Sequence, residues 1–208
     1  MTSWLENAQE IGRILSRCSI RDEFGAELQP DSAFDRWQAA TARARADGRT
    51  VYLIGNGASA SMASHVAADL AKNAHVHTEV FSDLALLTAI ANDLCYEEVF
   101  AEPLRRRMRR GDLLVAISSS GRSPNILRAA SEAKDLGGFV VTLSAMRADN
   151  PLRLRGMLNC YVPAETYGLA ETCHAGVLHH WIDLMTASLR ETDERAERAL
   201  EWVAAPPG

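Results

Sequence analysis

Twice in this chain a short apolar run stops at a cluster of small polar residues and gives way at once to a helical pattern. Val51–Ile54 ends at Gly55-Asn56-Gly57-Ala58-Ser59, with helical periodicity from Ser59 to Ala71. Leu113–Ile117 ends at the small polar turn Ser118–Ser123, with helical periodicity from Pro124 to Leu136. Strands that read as continuous apolar runs are buried on both faces, and a helix directly after each strand makes the connection a crossover between parallel neighbours. Phe139–Leu143 adds a third strand, Leu158–Val162 a weaker fourth, and Val76–Phe81 a fifth with indistinct ends. The expected fold is α/β: one doubly wound, mainly parallel five-stranded sheet with right-handed crossovers and helices on both faces.

Two amphipathic segments precede the sheet. Ser3–Cys18 carries Leu5, Ala8, Ile11, Ile14 and Leu15 at helical spacing, and Asp31–Ala46 starts at Asp31-Ser32 and stops at Asp47-Gly48. They show no strand of their own, so they are expected to pack on a neighbouring helix or on another subunit. A long helix is expected over Leu169–Leu189, extended or followed by Glu194–Val203, and Ala204–Gly208 reads as a frayed tail. No linker, repeat or low-complexity stretch divides the chain. It reads as one domain over 1–208: a helical pair (1–48) for oligomerisation, an α/β core (49–190), and a C-terminal helix and tail (191–208).

Composition removes several classes of function. A net charge of −5 disfavours bulk electrostatic binding of nucleic acid. No apolar run approaches the ~20 residues of a membrane span, and MTSWLENAQE lacks the basic and apolar regions of a secretory signal. Cys18, Cys95, Cys160 and Cys173 form no CxxC pair, so reduced thiols in a cytoplasm are expected.

Ligands of open parallel sheets bind outside the carboxyl ends of the strands, where both small-residue loops fall. Hydroxyls and backbone N–H groups at a helix start suit an anion. Neither loop has the GxxxxGK[ST] pattern, and Gly55-Asn56-Gly57 lacks the third glycine of GxGxxG, so a single phosphate fits better than a nucleotide. Simple helix capping by the same serines is the bland alternative.

His65 and Asp69, four apart, share a helix face. Glu171, His174, His179 and His180 lie on the long helix, and Glu171 and His179 point within about a quarter-turn of each other. Two histidines and two carboxylates suit Zn, Fe or Ni, provided the helices meet, which spacing does not decide. His75 and His77 alternate as on one face of a strand. The run Arg105, Arg106, Arg107, Arg109, Arg110 reads as a solvated helix C-terminus, with nucleic-acid binding as the lesser alternative. Cys173 and His174 are sequence neighbours on a helix and do not face each other, which argues against a Cys-His nucleophile.

Taken in order, Gly55–Ser59, His65-Val66-Ala67-Ala68-Asp69, Ala89-Ile90-Ala91-Asn92-Asp93 and Ile117–Asn125, with the long helix carrying Glu171 and His179, resemble the sugar isomerase (SIS) domain. More closely, the chain resembles the phosphoheptose isomerases, which interconvert sedoheptulose 7-phosphate and glycero-manno-heptose 7-phosphate. The resemblance implies that Ser118, Ser119, Ser120 and Ser123 form a phosphate loop. Asn56, Gly57, Ala58 and Ser59, with Asn92 and Asp93, would line the substrate. It further implies that His65, Asp69, Glu171 and His179 hold a divalent metal, usually zinc, in a homotetramer with sites at subunit boundaries.

The chain departs from that family at three points. Asp69 stands where a glutamate is usual, Glu171 where a glutamine is usual, and the stretch from Asp69 to Asn92 is a few residues short and lacks arginines. The chemistry implied is aldose–ketose isomerisation through an enediol, with Glu171 or Asp69 as base and His179 as ligand and acid. The alternative is a non-catalytic SIS tetramer that binds a sugar phosphate or a protein partner.

Overall fold

The computed structural model describes the backbone of residues 3–204 and the side chains of residues 3–190. Helix α1 (Trp4–Ser16) starts on a capping box: Ser3 Oγ accepts the Glu6 N–H, and the Glu6 carboxylate accepts the Ser3 N–H. Strands β1 (Ser19–Asp22) and β2 (Glu27–Leu28) follow, then α2 (Pro30–Ala46), where Pro30 fixes the first turn. The core alternates: β3 (Thr50–Gly55), α3 (Ala58–Ala74), β4 (His77–Val80), α4 (Leu84–Asp93), α5 (Ala101–Arg107), β5 (Leu113–Ser118), α6 (Pro124–Asp135), β6 (Phe139–Ser144) and β7 (Leu158–Tyr161). Helix α7 runs unbroken from Tyr167 to Ala204, covering both expected helical segments, while residues 205–208 of the expected tail lie outside the described residues.

The sheet has the order β2-β1-β7-β6-β5-β3-β4. From β7 to β4 all five strands are parallel, as expected from the apolar runs. The sheet has seven strands rather than five, because the N-terminal segment contributes an antiparallel hairpin on the β7 edge. That hairpin escapes a reading of hydrophobic pattern. Only Ile20 of Ser19–Asp22 is buried, and the turn is closed by a side chain, Asp22 Oδ1 accepting the N–H groups of Phe24 and Ala26 at 2.9 Å each. A short charged strand of this kind is a common way to finish a sheet edge.

Two apolar layers cover the sheet. On one face Ile14, Trp37, Leu70 and Trp181 bring in α1, α2, α3 and α7, with the Trp37 and Trp181 rings stacked at 4.4 Å. On the other, Leu104 and Ile126 bring in α5 and α6. The arginine run ends α5 as expected. Three of its charges meet carboxylates, Arg105 with Glu98, Glu102 and Glu132, Arg106 with Glu102, and Arg107 with Glu79. Among the described residues no helix is long and apolar enough to cross a membrane.

His174 is 1% exposed, and burial pushes its imidazole down to about 4, partly opposed by the Ser144 backbone. The ring is therefore neutral in the folded chain, whereas the unfolded chain takes up a proton near pH 6.5. Stability is full above that pH and falls as acid is added, because the unfolded state binds more protons. Urea unfolding at pH 7 and pH 5 should differ by about 2 kcal/mol from this residue alone. In a His174→Leu variant that part of the pH dependence should vanish. An unchanged pH slope in the variant would assign it to other groups.

Candidate active site

Every parallel strand of the central group ends at the same edge, and the order reverses between β3 and β5, which opens a crevice there. β5 delivers Ser118 to that crevice, and α6 begins at Pro124 behind Ser123. The Ser123 hydroxyl makes no helix cap. It lies 3.1 Å from Ser118 Oγ, which is also 3.5 Å from Ser120 Oγ, so three hydroxyls converge on one point. The Ala145 N–H holds the Ser119 carbonyl at 2.9 Å, tying the loop to the end of β6. Gly121 turns the loop at φ +62°, and a Cβ there would sit 2.0 Å from Asn150 Oδ1. No other residue fits without moving buried Asn150.

The opposite wall comes from the β3–α3 turn. A Cβ on Gly55 would fall 2.6 Å from the Ser59 backbone, so strand and helix can approach this closely only at a glycine. Asn56 and Asn125 exchange two amide hydrogen bonds across the crevice, of 3.0 and 2.9 Å, and the Tyr96 hydroxyl donates to Asn56 Oδ1 at 3.3 Å. Of the residues expected in the site, Asn56, Ser59, Ser118, Ser119, Ser120, Ser123 and Glu171 share one cleft of about 190 Å³, with Tyr167 and Ile117. Gly57 faces an adjoining cleft of about 220 Å³ walled by Phe81, Leu87, Tyr96 and Phe100, and Asn56 borders both.

The other expected residues lie elsewhere. Ala58 opens α3 at the surface. Asn92 and Asp93 form the exposed last turn of α4, where Asn92 Nδ2 donates to Asp93 Oδ1 at 2.9 Å, and neither reaches the serine-lined cleft in this protomer. Tyr96 and Tyr167 are not singled out by the sequence, and Asn125 enters only as the last residue of the Ile117–Asn125 motif. Aromatic residues in loops are common, and Asn125 reads as an ordinary first-turn helix residue.

Helices α3 and α7 pack side by side, so the two candidate metal-binding stretches do meet. The ligand atoms of His65, Asp69 and His179 lie within 4.8 Å of one another, with His65 Nε2 and Asp69 Oδ2 at 3.3 Å and the two imidazole centroids at 5.4 Å. Two imidazoles and one carboxylate with an open fourth direction are the donor set of a catalytic zinc site, so these residues fit a divalent cation. Glu171 is not among them. It precedes His179 by eight residues, ~12 Å along the helix axis, and its side chain lines the serine cleft instead.

His174, three residues after Glu171, is buried in the core. His180 packs edge-on against Phe34 at 4.6 Å. His75 ends α3 in a left-handed conformation and only His77 opens β4, so the two do not alternate on a strand.

Gly121→Ala supplies a direct check on the loop. It should cost about 2–4 kcal/mol of stability in chemical denaturation and at least tenfold in affinity for inorganic phosphate by titration calorimetry. Gly12→Ala, inside α1 with open space around the added methyl, should leave phosphate affinity unchanged and raise stability by about 0.5–1 kcal/mol.

Comparison with known proteins agrees with this architecture. The SIS-domain family model matches residues 27–145. A phosphoheptose isomerase of Streptomyces coelicolor is 34% identical over 170 residues, covering 79% of this chain and 73% of the relative. One of Helicobacter pylori is 38% identical over 136 residues, covering 62% and 70%. Among solved structures, a phosphoheptose isomerase from Neisseria gonorrhoeae superposes with a TM-score of 0.72 at 24% identity, covering 88% of this chain and 92% of that one.

Proposed function

The chain belongs to the SIS-domain family, as one of its phosphoheptose isomerases, and on that premise we propose that it converts sedoheptulose 7-phosphate to D-glycero-D-manno-heptose 7-phosphate in a metal-dependent reaction. The observation that carries the reading is the position of Glu171, a carboxylate in the same small cleft as four serines of an anion-binding loop.

The phosphate is held by the hydroxyls of Ser118, Ser120 and Ser123 and by the start of α6, where the helix dipole favours an anion. Specific donors of this kind explain how a chain of net charge −5 can bind a dianion. Asn56 and Ser59 face the sugar. Glu171 acts as the base: it removes a proton from C1 of the ketose, leaving an enediolate; the hydroxyl proton on O1 passes to O2, and Glu171 returns its proton to C2 to give the aldose. Asp69 is less suited to that task, because its carboxylate is already engaged by His65 at 3.3 Å.

His65, Asp69 and His179 would hold a divalent cation, with zinc preferred by the donor set, which when bound supplies a Lewis acid for the carbonyl oxygen. With His179 in that role, the cluster carries no free general acid.

Two surface features support assembly as a homotetramer with sites at subunit boundaries. Trp4 and Leu5 of α1 are 82% and 66% exposed, and α4, an apolar helix, buries none of its residues within the protomer. Four unpaired cysteines, with the Cys18 thiol pushed by burial to about 11, accord with a reducing cytoplasm.

The deciding experiment offers C5–C7 ketose phosphates, with and without added zinc, and follows C1/C2 proton exchange by NMR in deuterated water. The expected result is exchange with the C7 substrate and weaker or no exchange with the shorter ones. Absence of exchange with every sugar would refute the isomerase. Glu171→Gln should lower turnover by ~10²–10⁴ with an unchanged circular dichroism spectrum, and full activity in that variant would remove Glu171 from the mechanism.

Metal analysis should find about one divalent ion per chain, the occupancy of one three-ligand site. A far lower content after zinc supplementation would favour a non-catalytic sugar-phosphate-binding tetramer. Light scattering should report four chains, and Trp4→Glu with Leu5→Glu should lower that number.

A further inference from the structure

The Asn56 amide offers the cleft a donor and no acceptor, and the reason is a backbone group one helix away. The Ile126 N–H, shared with the Ser123 carbonyl at 3.1 Å, donates to Asn125 Oδ1 at 3.0 Å. A backbone N–H can only donate, so the end of the Asn125 carboxamide that faces it is oxygen. Asn125 is 1% exposed, and that contact settles which way its amide points. Its Oδ1 then accepts from Asn56 Nδ2 at 3.0 Å, and its Nδ2 donates to Asn56 Oδ1 at 2.9 Å. In a closed amide pair, fixing one partner fixes the other. The Tyr96 hydroxyl takes the second lone pair of Asn56 Oδ1 at 3.3 Å. An amide has two acceptor sites and two donors. Both acceptor sites of Asn56 are filled and one donor is used, so a single Nδ2 proton is left. Asn56 stands where the serine-lined cleft with Glu171 meets the apolar cleft.

Resting on the isomerase reading above, we infer that this proton is donated to the substrate oxygen that gains negative charge as the enediol forms, and that Asn125 and Tyr96 are positioning residues that hold the Asn56 amide in that sense. A carbonyl oxygen accepts a hydrogen bond weakly and an enediolate oxygen strongly. A donor already fixed in place therefore stabilises the reaction's high-energy state more than the bound substrate. An amide free to turn over could present its oxygen instead and would repel the developing charge.

Asn125→Asp tests the inference with almost no change of shape. One carboxylate oxygen still accepts from Ile126 and can accept from Asn56 Nδ2, but the other has no proton for Asn56 Oδ1, so the closed pair opens and the Asn56 amide is no longer held in one orientation. The expected result is a fall in kcat of ~100-fold, the scale of one lost oxyanion donor. KM and the dissociation constant for inorganic phosphate should stay within about threefold, since the serine loop is untouched. Asn56→Asp, which keeps the acceptors and lacks the proton, should match it, and Tyr96→Phe should lose only about threefold to tenfold. These fold-changes follow from the number of donors removed.

A kcat within threefold of wild type in Asn125→Asp, or a parallel loss of phosphate affinity, would overturn the positioning role. The wild-type side-chain amide gives a readout independent of folding in the variants. By NMR one Asn56 Nδ2 proton should be protected from exchange with water and the other should exchange freely, and two equally exchanging protons would overturn the amide lock. A wild-type chain that exchanges no proton with any sugar phosphate would overturn the isomerase reading and the enediol role with it, while leaving the amide orientation to be judged by its exchange alone.

Discussion

The organisation of this molecule follows from the burial of one strand. All six residues of β5 are buried, and it is paired on both sides with parallel neighbours, β3 and β6. A strand in that position has no exposed face and no free edge, so only its ends can meet solvent. Because its neighbours run the same way, their carboxyl ends open together at one edge. The chain leaves β5 toward one side of the sheet and β3 toward the other, and the crevice between the two exits becomes the cleft. The small residues at those exits are then forced. Gly55 allows the start of α3 to fold back against β3, and Gly121 lets the serine loop pass over Asn150. Bulkier residues would close the crevice that the topology opens.

That topology also shapes the electrostatics. Three arginines of the dense run, Arg105, Arg106 and Arg107, are paired with Glu79, Glu98, Glu102 and Glu132, away from the serine loop. The loop itself relies on neutral donors, three convergent hydroxyls and a helix start, which carry direction as well as attraction. A fixed array of this type can distinguish a phosphate from other anions by geometry, where a lysine or arginine cluster would bind by charge. It also tolerates a carboxylate in the same cleft. Glu171 shares that cleft with hydroxyls, which can turn to accept or donate, and the described residues lining it include no lysine or arginine.

Much of this was readable from residue order. The five parallel strands announce themselves because strands buried on both faces are apolar throughout, and the serine loop because hydroxyls before a helix-starting proline are an uncommon combination. The β1–β2 hairpin was not readable, since Ile20 is its only buried strand residue and a carboxylate, Asp22, closes its turn. Helix α4 was missed for a related reason: its apolar residues show no periodicity to a reader, and none of them is buried in the protomer. The convergence of His65, Asp69 and His179 depends on α3 packing beside α7, a relation between residues over a hundred positions apart that helical spacing cannot encode. The same holds for the Asn56–Asn125 pair. Each asparagine alone looks like a turn or helix-start residue, and only the switch point of the sheet brings the two together.

The packing of α3 against α7 also bears on the two carboxylate departures from the family pattern. The helix pair carries two stations in sequence: Ser59 beside Glu171 at the cleft, and His65 and Asp69 beside His179 farther along. Within the protomer Glu171 lines the serine cleft and is not grouped with the ligand atoms of His65, Asp69 and His179. An aspartate at position 69 is one methylene shorter than the usual glutamate and stays within reach of His65, at 3.3 Å, rather than extending toward the cleft. A glutamate at position 171 places at the cleft the ionisable group that a glutamine there would lack. On the reading proposed above, the two changes compensate: proton transfer would lose a carboxylate beside His65 and His179 and gain one in the serine-lined cleft. On that same reading the proton-handling group would approach the sugar from the wall that also anchors its phosphate, and the length of the carbon chain between phosphate and carbonyl would be the property this cleft selects.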